Sequence, residues 1–217
     1  MTVNEIIESA VGIIQDGAYT TTEVRALLDN VVHAVGSLVR IPSAKKIGSV
    51  TVNATETSTN IQTTYPNYIP KFVSKVYNAT SAEFVSIYHS LELLFAEYPT
   101  FVEEGNIEAV CFEDYMLWSQ KAPADDQVLS FVYYDFPGAP SALGNVNWMP
   151  AGLHYNIFVC GIAAVAYGEL EDGLESDTNA GKPNTGHYAA NYYKGIKDYR
   201  EYVARYSTHR LSSFWSE

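Results

Sequence analysis

The sequence is poor in cysteine, in basic residues and in long apolar runs, and each shortage excludes a class of protein. Its two cysteines, Cys111 and Cys160, lie in apolar surroundings with no C-x-x-C, which excludes a small disulfide framework and leaves buried free thiols as the reading. Only 13 Lys plus Arg stand against 25 Asp plus Glu, a formal charge of −12. That balance argues against a protein that grips a phosphate backbone over its surface, because such binding runs on clustered basic side chains. The longest apolar stretch, Tyr155–Gly168, falls short of the roughly 18 residues a membrane span requires and reads as a buried core helix. The opening MTVNEIIESA has neither a basic nor an apolar leader region, so nothing in it points to secretion. The N-x-T matches at Asn53 and Asn78 are accordingly read as coincidental. No solenoid-type repeat is visible.

What is present is globular. The 217 residues are 47% hydrophobic and 18% charged, enough for one sizeable domain or a domain with an insertion. Seventeen tyrosines outnumber the basic residues, and tyrosine suits half-wet surfaces and interfaces. Charge is unevenly placed. Residues 182–217 hold six basic side chains (Lys182, Lys194, Lys197, Arg200, Arg205, Arg210) against Asp198, Glu201 and Glu217, a local +3 that leaves −15 on the rest.

Two T-x-x-E boxes, at Thr2–Glu5 and Thr20–Glu23, mark helix starts. Val3, Ile6, Ile7, Ala10, Val11 and Ile14 keep helical spacing after the first, and Val24, Leu27, Leu28, Val31, Val32, Val35, Leu38 and Val39 after the second, up to Pro42. The spacing predicts a helical hairpin over residues 1–42. From Ile47 the period becomes two, and a β-rich segment is expected over 43–150: Val50, Val52 and a Thr-rich stretch, the strand KFVSKVY, a short helix SLELLFAEYP, then AVCFEDYMLWSQ paired with VLSFVYYDFP across a break at Lys121–Asp126. Helices return over 151–206, the second carrying a stripe of Tyr188, Tyr192, Ile196, Tyr199, Val203 and Tyr206. Residues 207–217 read as a polar tail ending in Phe214 and Trp215. The expected fold is α+β, one domain in which the hairpin and C-terminal helices form a helical bundle around a central antiparallel β-rich insertion.

A search for chemistry returns isolated fragments. Gly181-Lys182 lacks the upstream glycine and the following Ser or Thr of a phosphate loop, and Ser43-Ala44-Lys45-Lys46 matches S-x-x-K without a following S-D-N. His33, His89, His154, His187 and His209 are scattered, without the H-x-x-x-H spacing that places two imidazoles on one helix face. Acidic pairs at Glu103-Glu104, Glu113-Asp114 and Asp125-Asp126 admit a hydrolase reading but are ordinarily solvated turn residues. No metal, cofactor or catalytic set is expected.

The order of elements carries more. QDGAYTTTEVRALLDNVV, YPNYIPKFVSKVY, SLELLFAEYP, EDYMLWSQKAPADDQVLSFVYYDFP, the apolar helix after NWMPAGLHYNIFVCGIAAVAYGEL and the final YREYVARY together resemble the head-to-tail adaptor proteins of tailed bacteriophages, over nearly the whole chain. The resemblance implies a non-enzymatic virion subunit, typically twelve in a ring, made in the host cytoplasm and placed in the neck. There it joins the portal protein to a tail or nozzle protein while DNA passes through without specific binding, and no membrane is involved. It implies that VLSFVYYDFP packs one side on the helical core and offers its other aromatic side to a neighbouring subunit or tail component; the alternative is a strand whose aromatics all face the domain's own core. Under this reading an acidic channel suits sliding DNA, with Glu169, Glu171, Asp172, Glu175 and Asp177 as candidate lining. The docking arm comprises Arg205, Tyr206, Arg210, Phe214 and Trp215, apolar anchors with basic partners for portal carboxylates, strengthened by avidity in a ring; the alternative is that Phe214 and Trp215 fold back onto the same subunit. The alternative is a soluble β-rich binding module, carbohydrate-binding or adhesin-like, that uses exposed tyrosines; a hydrolase stands behind it.

Overall fold

Helices hold the two ends of the chain and strands its middle. In order they are α1 (Val3–Ile14), α2 (Thr21–Leu38), β1 (Lys45–Val52), β2 (Ser58–Asn60), β3 (Ser74–Asn78), β4 (Glu83–Tyr88), α3 (Leu91–Glu97), β5 (Ala109–Glu113), β6 (Met116–Ser119), β7 (Gln127–Tyr134), α4 (Cys160–Leu170) and α5 (Pro183–Ser212). The structure, a computed structural model, describes residues 1–100, 103–137, 144–171 and 183–212, with Pro183 and residues 206–212 by backbone alone. Among these the fold is mixed α+β, with five α-helices and a seven-stranded, nearly closed sheet. The chain divides into two units, Ala44–Phe136 and a discontinuous one of Met1–Ser43 with Pro137–Glu217. The β-rich segment therefore ends at Phe136, where the sequence reading carried it to 150.

In the discontinuous unit, Thr2 caps α1 through a reciprocal box: its hydroxyl accepts the Glu5 N–H at 3.2 Å and its own N–H donates to Glu5 Oε2 at 2.8 Å. The second box is absent. Thr20 occupies the N-cap of α2, but its hydroxyl accepts no capping hydrogen bond, so T-x-x-E locates this helix start without fixing the rotamer. Most of the spaced apolar residues of α1 and α2 are buried as their periodicity requires, while Val11, Leu27 and Leu38 at the margins of the stripes are half-buried. A π-helical turn at Tyr155–Val159 leads into α4, and the continuous helical run Ala151–Leu170 spans 20 residues at a mean hydropathy of 1.3. This is longer than the apolar stretch read from sequence and, by length and composition, sufficient to cross a membrane. Ile157, Phe158, Val159, Ile162 and Ala163 are nonetheless fully buried, and α4 packs on α1, α2 and α5 in the manner of a core helix.

The stripe on α5 faces that core: Ile196, Tyr199 and Val203 are buried, Tyr188 stacks on Tyr167 with centroids 5.5 Å apart, and the Tyr199 hydroxyl donates to the Trp148 carbonyl at 2.7 Å. Gly195 lets the helices meet, since a Cβ there would lie 2.8 Å from Ile157 Cγ1 and 3.0 Å from Asn156 Cβ. The helix continues to Ser212, past the expected end near Tyr206, so much of the supposed tail is helical.

In the β unit the strand order is β1-β7-β3-β4-β5-β6-β2. All pairs are antiparallel except β4 with β5, so the sheet is mixed rather than purely antiparallel. The parallel pair needs a crossover, which α3 supplies. Leu94 of α3 packs on Ala109 and Cys111 of β5, while Val110 and Phe112, on the other face of that strand, join the sheet interior. AVCFEDYMLWSQ is itself the β5–β6 hairpin, turning at Asp114 with φ 50°. β7 does not pair with it; it lies between β1 and β3. The Lys121–Asp126 break thus leads across the sheet rather than around a hairpin. Leu129, Phe131 and Tyr133 of β7 are buried in the sheet's own interior cluster, which corrects the expectation that this strand rests on the helical core.

Two polar arrangements hold the sheet in this curvature. Asn78, fully buried, donates to Gln127 Oε1 at 2.7 Å, and the same oxygen accepts the Ile107 N–H at 3.1 Å, tying β3 and β7 to the approach to β5. An amide so enclosed is no glycosylation acceptor. At the β1 edge the Tyr65 hydroxyl accepts the Ser49 N–H and donates to the Ser49 carbonyl, both at 2.7 Å, and its ring sits edge-on to Phe131 and Tyr133. A Cβ on Gly48 would stand 2.9 Å from that ring.

Gly48→Ala is therefore expected to destabilise the protein by about 1–3 kcal/mol through overpacking. Tyr65→Phe, which exchanges both Ser49 hydrogen bonds for water, is expected to cost about 1 kcal/mol. Urea denaturation checks both, and a Gly48→Ala midpoint equal to wild type would contradict the packing described.

Candidate interaction surface

Alternation along β7 sends Leu129, Phe131 and Tyr133 inward and Val128, Ser130, Val132 and Tyr134 outward. Register extends this outer face across three more strands. Ile47 stands opposite Val132, Tyr77 opposite Ser130, and Phe84 opposite Tyr77. Ile47 is 80% exposed and Phe84 76%, with Tyr77 and Val128 also exposed. The Tyr77 and Phe84 rings meet edge-to-face at 5.4 Å. Exposed large apolar side chains are unremarkable when single; several in register on one sheet face form a patch of the kind that meets another surface. Lys45, on the same side of β1 as Ile47, and Lys75, in the bulge between Ser74 and Val76, flank one end of it, and both are exposed. Lys46 is instead committed to an ion pair with Asp135, and that hydrogen bond raises the lysine pKa.

On the same unit two clefts flank the β5–β6 turn. One, of about 370 Å³, is lined by Lys71, Tyr88, His89, Glu113 and Asp114 over an apolar floor. The other, of about 440 Å³, lies between α3 and β6, with Phe95, Met116 and Trp118 as its floor and Glu92, Glu113 and Asp114 at its rim. The acidic pairs are largely used structurally. Glu113 Oε2 accepts the Leu91 N–H at 3.0 Å, Asp126 Oδ1 accepts the Ala54 N–H at 2.8 Å, and Glu103 lies 3.8 Å from Lys121. Among the described residues no three His, Cys, Asp or Glu side chains gather as a metal site. Burial pushes the Cys111 thiol up to about 11 and raises that of Cys160, so both cysteines are protonated packing residues.

Of the residues singled out as channel lining, Glu169 and Glu171 are described. Glu169 is exposed at the end of α4 and accepts the Tyr19 hydroxyl at 2.6 Å; burial, followed by this hydrogen bond, pushes the Tyr19 pKa up to about 12. Glu171 is buried. Its carboxylate accepts the Thr185 hydroxyl at 2.6 Å, the Thr185 N–H at 3.2 Å and the Asn184 N–H at 3.3 Å. Those backbone donors belong to the first turn of α5 and have no partner within the helix, so Glu171 is a cap supplied from α4 and not a lining residue. Asp172, Glu175 and Asp177 lie outside the described residues, as do Phe214 and Trp215 of the docking arm. Arg205 is exposed on α5, 3.9 Å from Glu201, and Tyr206 and Arg210 follow on the same helix. The apolar outer face was missed for a specific reason: EFVSIY was not read as a strand, although Phe84, Ser86 and Tyr88 alternate with Val85 and Ile87.

The Thr185 hydroxyl, more than any other contact, holds the Glu171 carboxyl below the usual glutamate range. A lowered folded pKa stabilises the protein above the ordinary glutamate value, and that contribution is lost as pH falls through the lowered one. Glu171→Ala is expected to lower the melting temperature by a few degrees at neutral pH, with the deficit shrinking as pH drops below about 4. A deficit that stays constant down to pH 3 would show that the loss is one of packing.

No protein-family model matches the chain, and no curated protein matches it.

Proposed function

We propose that this chain is a structural virion subunit, a head-to-tail adaptor of a tailed bacteriophage that joins portal to tail as one member of a ring around the DNA exit channel. The observation that carries the reading is the layout: helices from both ends of the chain make one unit, and between α2 and residue 137 a separately cored β unit is inserted. In this reading α1, α2, α4 and α5 are a helical bundle that forms the body of each subunit. The outer face with Ile47, Tyr77 and Phe84 meets a neighbouring subunit or tail component. The arm is the end of α5 with Arg205, Tyr206 and Arg210, continued by Phe214 and Trp215, and it docks on the portal. The protein binds no cofactor, turns over no substrate, and passes from host cytoplasm to the virion neck.

A lining role stays with Glu169, Asp172, Glu175 and Asp177 and is withdrawn from Glu171, whose oxygens are occupied by α5. A carbohydrate-binding module is the second reading, favoured by the exposed Tyr77–Phe84 pair, since paired rings offer apolar faces for stacking a sugar.

Negative-stain imaging of the purified protein, alone and mixed with its candidate portal, separates the two readings. Rings or portal-seated densities are expected from the adaptor; an isolated monomer that binds glycans and ignores the portal would remove it. If the C-terminal arm serves docking and not the fold, deleting residues 207–217 is expected to leave the melting temperature nearly unchanged and to abolish portal attachment. A truncated protein that still docks would overturn the arm's role.

A further inference from the structure

The β unit carries two surfaces of complementary chemistry at different places. On β1, Ile47 projects almost wholly into solvent, with Lys45 two residues away on the same side of the strand and Lys75 on β3, across β7 from β1. Between α3 and β6 lies the cleft of about 440 Å³, apolar at Phe95, Met116 and Trp118 and acidic at Glu92, Glu113 and Asp114. One surface is an apolar knob beside cations; the other is an apolar recess rimmed by carboxylates. Asp135, beside the knob, is already paired with Lys46.

We infer that Ile47 and the Lys45 stem of one copy seat in the α3–β6 cleft of a second copy, with Lys45 and Lys75 meeting the Glu92 and Asp114 carboxylates. The occupant is a copy of this chain because both halves of the match, in shape and in sign of charge, are present on the same unit. The long aliphatic part of a lysine can follow the isoleucine over apolar floor while its ammonium remains at the acidic rim. Burial of the apolar pair supplies adhesion, and the opposed charges set orientation and speed of encounter. The two patches are different, so the contact is heterologous: each copy uses its knob on one neighbour and its cleft on the other. Such contacts close into rings when the rotation per subunit divides a full turn, and otherwise grow as filaments. The inference rests on the adaptor reading only in taking the assembly to be a closed ring.

Sedimentation of the full chain over a concentration series tests it. Lys45→Glu/Ile47→Asp disables the knob and Glu92→Lys/Phe95→Asp disables the cleft, and each is expected to weaken self-association by about tenfold or more. Mixed together, the two variants keep one intact knob and one intact cleft, and a one-to-one complex that grows no further is expected. Lys45→Glu combined with Glu92→Lys in one chain exchanges the charges without touching the apolar positions and is expected to restore association, which keeps the test valid if an apolar variant fails to fold. Wild-type protein that stays monomeric at every concentration, variants that associate like wild type, or a mixture that remains monomeric would each overturn the contact. Imaging separates this from the adaptor reading. Variants that still form portal-seated rings discard the contact alone, whereas head-to-tail association without portal attachment keeps the contact and discards the adaptor.

Discussion

The Tyr65 hydroxyl holds the β unit in shape. At Ser49 the strand's N–H and C=O point away from β7, and an edge with both groups open would invite pairing with another chain. Tyr65 satisfies both with one oxygen and lays its ring over the Gly48 backbone, so the edge is closed by a side chain instead of a strand. Phe131 and Tyr133 pack edge-on to the same ring. The interior aromatics of β7 are thereby committed, and the outward side chains from Ile47 to Phe84 stay exposed among the described residues.

The discontinuous unit solves a different problem, that of holding a 30-residue helix whose two ends are unlike each other. At its start, Glu171 supplies the acceptors the first turn lacks. In its middle, Gly195 admits the π-helical turn at van der Waals distance. Past Val203 the described positions Ala204 and Arg205 are exposed.

Elements dominated by local periodicity were legible in the sequence. The stripes of α1 and α2, the Ser90-capped α3 and the tyrosine spacing of α5 needed only residues three and four apart. Nonlocal features were not. The partners of β7 depend on register with β1 and β3, far off in sequence, and proximity in the chain suggested the wrong hairpin. β4 was lost because both of its faces bear apolar residues, Phe84 and Tyr88 on one and Val85 and Ile87 on the other, which blurs a period of two. Glu171 looked like one acid among several in a polar loop; only the fold brings the first turn of α5 to its carboxylate. At the candidate surface, alternation in VLSFVYYDFP located two faces but could not tell which one closes around Tyr65.

The proposed connector role requires a contact with neighbouring subunits, and the outer sheet face is the surface proposed for it. Hydroxyl-radical footprinting of Ile47, Tyr77 and Phe84 in the free protein and in assembled particles measures this at the side chains themselves. The account predicts strong reactivity at all three when free and a marked loss at Ile47 and Phe84 on assembly, with buried Phe131 unreactive in both. Equal reactivity of Ile47 and Phe84 in the free and assembled states would contradict it.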